Sequence, residues 1–293
     1  MRANYQMQRL YVAQLPPMGQ DLRLEKEQAH YLLHVLRLQP GEAVLLFDGK
    51  NGEGLARCQQ ADKKSLILRL EAQTRPQPPA AAPLIYCFAP LKQARLDYMV
   101  QKAVEMGASL LQPVLTQHTQ VSRLNMARAE ANIIEAAEQC GLLRLPALAA
   151  PLSLPALLAG WAEIYGRQAR LIFCDEGEIA DESAANAPGQ NPLPALLRLK
   201  AEQQAAAKMA AGGAAEAAAG GAALPQQEPK PAQGLKPALG LLIGPEGGFS
   251  EAERKQLKAC DFVCPVPLGP RIMRADTAAV AALAVIQAVL GDW

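Results

Sequence analysis

Two kinds of hydrophobic patterning divide the chain. Between residues 8 and 75 the apolar positions come in short runs: "QRLYVA", "GEAVLLFDGKNGEGLARCQQ" with a Gly/Asn turn at its middle, and "KKSLILRLEAQ". Such runs, bounded by turn residues, predict strands. Between the first and second lies "EKEQAHYLLHVLRLQPG", whose apolar residues recur at helical spacing before a Pro-Gly stop. The expectation for residues 1–75 is a small β-barrel with one inserted helix. A Pro-rich stretch at 76–83 reads as a semi-stiff linker.

From residue 84 onward strands and helices alternate. "LIYCFAP", "SLLQPVL", "RLIFCD", "LGLLIGP" and "FVCPVPLG" are strand-like. "QARLDYMVQKAVEMGA" reads as a helix ending at Gly107, and "NMARAEANIIEAAEQCG" as one ending at Gly141. Ser250 and Glu253 form a capping box that opens "SEAERKQLKAC", and "RADTAAVAALAVIQAVL" is a last helix. Alternation of this kind predicts an α/β domain with a mostly parallel sheet over 84–293. Residues from about 181 to 234 depart from it, being rich in Ala, Gly, Pro and Gln. With few large apolar side chains to offset ordering entropy, they read as a flexible insertion holding a transient helix around "LPALLRLKAEQQAAAKMA".

Composition changes this picture only by exclusion. The chain has 293 residues, half of them hydrophobic, and a formal net charge of +1, so no global field announces a nucleic-acid partner. Residues 1–75 are mildly basic, with 11 Lys or Arg against 8 Asp or Glu, 11 − 8 = +3. The six cysteines are scattered, which fits reduced thiols in the cytoplasm rather than a disulfide framework. No membrane span is expected, and no metal site: His30 and His34 sit at helical spacing in "HYLLH", but the glutamate of H-E-x-x-H is missing.

The chemistry is concentrated in two loops. "LLIGPEGGFSEAE" (241–253) runs from a strand through three glycines into a helix. It lacks the lysine of a phosphate-binding loop and the G-x-G-x-x-G spacing of a dinucleotide fingerprint. Its glutamate, Glu246, would repel a phosphate chain but suits a ligand with hydroxyl donors or positive charge, such as S-adenosylmethionine. "VPLGPRIMRADTAAVA" (266–281) is a second strand, Gly-Pro loop and helix, with Arg271 and Arg274 flanking Ile272 and Met273, and Asp276 and Thr277 at the helix start. Two such loops after neighbouring strands would meet at one sheet edge, where open α/β sheets bind ligands.

Together these stretches, with "RLYV", "HVLRLQPGE", "LFDG", "RLDYMVQKAVEMGA" and "EAAEQCG" in order, resemble the bacterial 16S rRNA uracil-N3 methyltransferase (RsmE) family of the SPOUT superfamily. The resemblance covers nearly the whole chain except the Ala-rich insertion. It implies a PUA-like RNA-binding barrel followed by an α/β domain with a trefoil knot. It also implies a homodimer with sites at the subunit interface, and S-adenosylmethionine as methyl donor for one uridine of 16S rRNA within the small ribosomal subunit. The implied cofactor contacts are Leu242, Ile243, Gly244, Glu246, Gly247 and Gly248 of the first loop. The second loop adds Leu268, Gly269, Pro270, Ile272, Met273, Thr277 and Ala278.

Arg271 or Arg274 would stabilise charge on a uracil carbonyl oxygen. Asp276 would orient an arginine or accept the N3 proton. The family pattern usually carries a glutamate at this position, and the shorter aspartate favours the orienting role. RNA contacts are expected from Arg9, Arg37, Lys92, Arg95 and Lys102, which as a set would meet phosphates. Asp97 and Glu105 are expected to pair along the helix that carries Lys102. An RNA-binding protein with a decayed methyltransferase site, or an enzyme acting on a different RNA, stand as alternatives.

Overall fold

The structure, a computed structural model, describes residues 6–62, 65–121, 123–174, 191–217, 237–291 and 293. Its elements in chain order are β1 (Arg9–Tyr11), β2 (Asp21–Arg23), α1 (Lys26–His30), β3 (Ala43–Phe47), β4 (Glu53–Asp62), β5 (Ser65–Arg75), β6 (Leu84–Phe88) and α2 (Gln93–Glu105). There follow β7 (Leu110–Leu115), α3 (Met126–Cys140), β8 (Ala147–Leu148), β9 (Leu152–Ser153), α4 (Leu154–Tyr165), β10 (Arg170–Cys174) and α5 (Pro192–Ala217). The chain closes with β11 (Leu239–Ile243), α6 (Glu251–Lys258), β12 (Val263–Pro265) and α7 (Ala275–Leu290). Two units form: Met1–Pro79 with Glu130–Leu145, and Ala80–Ala129 with Pro146–Trp293.

The first unit is a five-stranded sheet in the order β1-β3-β4-β5-β2, antiparallel except for the β1–β3 pair. Leu66, Leu68 and Leu70 of β5 alternate inward, as a strand with one buried face requires, and meet Leu10, Leu32, Val44 and Leu46 in the core. The helix expected over 25–41 is shorter. After α1 the chain widens into a π-helical turn at Tyr31–Val35, closed by the Leu36 amide donating to the Tyr31 carbonyl, and Arg37 turns it out with a φ of 56°.

Residues 130–145 join this unit, which local patterning did not indicate. Arg9 explains why. Its guanidinium donates to the carbonyls of Ala137 (2.7 Å), Glu138 (3.0 Å) and Leu142 (3.1 Å), while the Tyr11 amide donates to the Glu138 carboxylate at 2.8 Å. Arg9 Nε donates to Glu53 at 2.8 Å, and Arg75 reaches the same carboxylate at 2.6 Å. With only 3% of its surface exposed, Arg9 is a fastener of the fold, and the expectation that it meets RNA is corrected. The Glu53 carboxylate is held below the usual range. Burial works against this, but hydrogen bonds from Arg75, Arg9 and Thr74 prevail.

The second unit is a parallel sheet in the order β12-β10-β11-β6-β7-β8, with β9 pairing the end of β7. Every residue of β6 and β11 is buried, because helices cover both faces of a parallel sheet. α4 and α6 cover one face, through Leu154, Leu157, Trp161 and Leu257. α2 and α7 pack together and α7 lies on β11. α2 buries Leu96, Met99, Val100, Ala103 and Val104, one helical stripe. Gly107 ends α2 in the left-handed region (φ 83°), and a methyl there would strike the Gln287 amide that donates to the Met106 carbonyl.

Two sequence expectations change here. α4 was not foreseen. Ser153 caps it, Pro155 starts it, and its apolar side chains run too continuously for a clear helical period. The helix expected inside the insertion runs further than foreseen, as α5 to Ala217, and packs on α7 with Leu196 and Leu199 buried. Two apolar side chains one turn apart suffice to dock a helix that composition alone would leave unanchored. The rest of the expected insertion, 181–190 and 218–234, lies outside the described residues. Among the described residues no helix is long and apolar enough to cross a membrane.

Candidate active site

β11 and β12 flank β10, so their C-terminal ends open onto the same edge of the sheet. After Ile243 the chain turns at Gly244-Pro245. The Gly248 amide donates back to the Pro245 carbonyl at 2.9 Å, and Gly248 adopts a φ of 67° that a side chain would strain. A Cβ at Gly244 would lie 2.5 Å from the Phe249 ring, which is itself buried against Phe173. Ser250 then caps α6: it accepts from the Glu253 amide, and its own amide donates to the Glu253 carboxylate, the reciprocal box expected from the sequence.

The second loop leaves β12, continues the ladder through the Val266 amide to the Phe173 carbonyl, and enters α7 with Arg274 at the N-cap. The two loops enclose a cavity of about 620 Å3. Ile243, Gly244, Glu246, Gly247 and Gly248 line it from one side; Leu268, Gly269, Ile272, Met273 and Ala278 line it from the other. Arg271 and Arg274 line it too, as do Arg95 of α2 and Arg254 of α6. Glu246, the one acid among the lining residues, is ion-paired with Arg95. Four arginines against one paired glutamate make the cleft attractive to anions. Cys174, at the end of β10, keeps a protonated thiol, because burial and then the neighbouring Cys264 push its pKa up.

Four residues expected at the site do not line the cavity. Leu242 is fully buried beneath it, and Pro270 is exposed outside it. Asp276 and Thr277 lie on the first turn of α7, where an Asp276 carboxylate oxygen accepts from the Thr277 amide at 2.8 Å. A carboxylate here suits the positive end of the helix dipole.

The expected RNA contacts also separate. Arg95 belongs to the cleft. Lys92 is exposed at the N-cap of α2, and Arg37 is exposed on the first unit. Lys102 is bonded to Glu105 at 2.7 Å and sits 5.6 Å from the Tyr98 ring. Asp97 accepts from Gln93 of the same helix at 2.8 Å and pairs with Arg128 at 2.6 Å. The His30 and His34 rings lie 4.7 Å apart. Sequence reasoning passed over Pro245, Phe249 and Arg254, although all lie within or just after the glycine loop. It also missed His118, whose approach to that loop has no local trace.

The chain matches the family described as RNA methyltransferase domain over residues 78–197 and 182–287, and RNA methyltransferase PUA domain over 24–71. It is 30% identical to the ribosomal RNA small subunit methyltransferase E of Synechocystis sp., covering 96% of this chain and 78% of that protein. Among solved structures, a Legionella pneumophila protein in complex with the bound cofactor S-adenosylmethionine is 26% identical. The match has a TM-score of 0.70 over 96% of this chain and 97% of that one. A Neisseria gonorrhoeae ribosomal RNA small subunit methyltransferase E bound to S-adenosylmethionine shares the fold. It has 24% identity and a TM-score of 0.71, over 98% and 99% of the two chains. A domain match across most of the length, and a relative of that name aligned over nearly every residue, make this chain a member of the ribosomal RNA small subunit methyltransferase E family of RNA methyltransferases.

Proposed function

We propose that the protein transfers a methyl group from S-adenosylmethionine to N3 of one uridine in 16S ribosomal RNA. The observation that carries this reading is the convergence of both Gly-Pro loops and four arginines on one cleft at the C-terminal edge of a parallel sheet. The cleft fits the cofactor. Its volume is within the range of small-molecule sites. Glycines leave backbone groups open to a flat ring, and Ile243, Leu268, Ile272 and Met273 supply apolar contact. Glu246 suits a ribose hydroxyl or a cationic group. When bound, S-adenosylmethionine supplies an electrophilic methyl group.

The chain's own residues deal with the nucleophile. N3 of uracil bears a weakly acidic proton and reacts once that proton has passed to solvent water. Arg271 and Arg274 are exposed in the cleft, and among the described residues no hydrogen bond or ion pair occupies either. In this reading either donates to a uracil carbonyl oxygen as negative charge grows there. Asp276 acts through the first turn of α7, whose N-cap is Arg274; its hydrogen bond to Thr277 favours this positioning role over that of a general base.

In the same reading the first unit is the PUA-like RNA-binding part, and Arg37, Lys92 and Lys102 meet phosphates. The loops at 243–248 and 267–274 form the trefoil knot. The enzyme works in the cytoplasm on the small ribosomal subunit, as a homodimer. Ile272, 76% exposed at the mouth of the cleft, supports an additional covering surface such as a second copy.

The test is to incubate the protein with labelled S-adenosylmethionine and small subunits lacking the modification, and to identify the product nucleoside by mass spectrometry. N3-methyluridine is the expected product. Cofactor binding without transfer to any RNA would instead support an RNA binder with a decayed centre.

A further inference from the structure

The turn after β7 reaches the glycine loop from outside the cavity. It is a tight turn, with the Thr116 amide donating to the Thr119 hydroxyl at 2.9 Å and the Thr119 amide to the Thr116 carbonyl at 3.1 Å. Two contacts join it to the segment that follows β11. The Gln117 amide donates to Glu253 at 2.7 Å, the same carboxylate that closes the capping box of α6. The Nδ1 of His118 lies 3.1 Å from both the Gly247 and the Gly248 carbonyl oxygens. Carbonyls only accept, so Nδ1 carries the hydrogen and donates to both. The approach is close: a Cβ at Gly247 would come 3.2 Å from that of His118, which would have to give by a few tenths of an ångström.

We infer that His118 is a positioning residue for the cofactor, an inference that rests on the cleft being the S-adenosylmethionine site. His118 does not line the cavity, so it acts through the loop. A trans peptide is planar, with its C=O and N–H pointing in opposite directions. Holding the Gly247 and Gly248 carbonyls therefore fixes the directions of the Gly248 and Phe249 amides. One of these closes the turn onto Pro245. Gly248, with a backbone conformation open to few residues, would otherwise be the softest point of the wall. The imidazole replaces that freedom with a fixed shape, so the ordering is complete before the ligand arrives.

The experiment compares wild type with His118→Ala and His118→Asn. The amide nitrogen of asparagine is as far along the side chain as Nδ1 and donates two hydrogens. For His118→Ala the expected result is an S-adenosylmethionine Kd raised about tenfold, as for the loss of one or two hydrogen bonds. KM for the cofactor should rise to match, with kcat at saturation within about twofold and a thermal midpoint lowered by no more than a few degrees. His118→Asn should recover most of the affinity. Hydrogen exchange of the 247–249 amides in ligand-free protein should quicken in His118→Ala and return toward wild type in His118→Asn. Wild-type affinity in His118→Ala, a loss confined to kcat, or no recovery with asparagine would each overturn the inference. If wild type itself does not bind S-adenosylmethionine, the reading of the cleft fails. The exchange measurement then still decides whether His118 holds the loop.

Discussion

The arginines of the first unit and those of the cleft differ in what meets their donors. Arg9 directs Nε at Glu53 and its terminal nitrogens at three main-chain carbonyls, with its guanidinium 4.5 Å from the Phe47 ring centroid. Arg75 shares Glu53 and adds the Gly141 carbonyl. Arg271 and Arg274 are exposed on a cavity wall and hold no such set among the described residues. A guanidinium carries five donors in a rigid fork, and burying it requires that they be matched. Where the fold matches them, the residue holds elements together. Where it leaves them open beside a cavity, the residue is available to a ligand. The residue type is the same, and only its surroundings separate the roles.

The largest expected effect breaks the matched set. Glu53→Ala leaves Arg9 buried without its counter-ion, so unfolding free energy should fall by about 3–5 kcal/mol in chemical denaturation. Turnover of the molecules that remain folded should be nearly unchanged. The open set should behave in the opposite way. Arg274→Ala or Arg271→Ala should lower kcat by about 10²–10³ under saturating substrates, while denaturation shifts by no more than about 0.5 kcal/mol. If either substitution in the cleft unfolds the protein, or Glu53→Ala leaves stability intact, the division between the two sets is wrong.

Acid sharpens the contrast. Because the folded state holds the Glu53 pKa below its unfolded value, the carboxylate contributes stability above that unfolded value, roughly pH 4.3. The contribution is lost as pH falls through the folded pKa. Stability measured from neutral pH down to about pH 2 should therefore fall less steeply in Glu53→Gln than in wild type below about pH 4.3. In Arg274→Ala the acid limb should keep its wild-type slope. The smallest effect concerns Asp276. Asp276→Asn retains an oxygen to accept from Thr277 and should stay within about 0.5 kcal/mol of wild type, whereas Asp276→Ala should lose about 1 kcal/mol. Activity should follow the same order if the carboxylate acts by positioning; an inactive, stable Asp276→Asn would identify it as the base.

Some of this was readable from the chain. The strand-loop-helix order, the stops at Gly107 and Gly141 and the Ser250–Glu253 box are local features, and their spacing expresses backbone geometry and orphan amides directly. Both Gly-Pro loops announced the cleft, because ligands approach main chain where side chains are absent. Other features had no local trace. α4 was hidden by a continuous apolar run; the helix of α5 was legible, but its docking on α7 with Leu196 and Leu199 buried was not. Asp276 was legible as a helix-start residue, while its distance from the cavity wall was not.

Residue type and spacing over a few positions set most of the elements and the chemistry concentrated in the two loops. Which of those residues meet was settled by packing. β10 lies between β11 and β12, bringing two segments more than twenty residues apart to one cavity. Residues 130–145 are fastened to a sheet formed before residue 80. His118 reaches carbonyls well over a hundred residues away. The physical reason is common to all three. Packing brings together groups from distant parts of the chain, and a buried polar group such as Arg9 finds there the partners its local sequence does not supply.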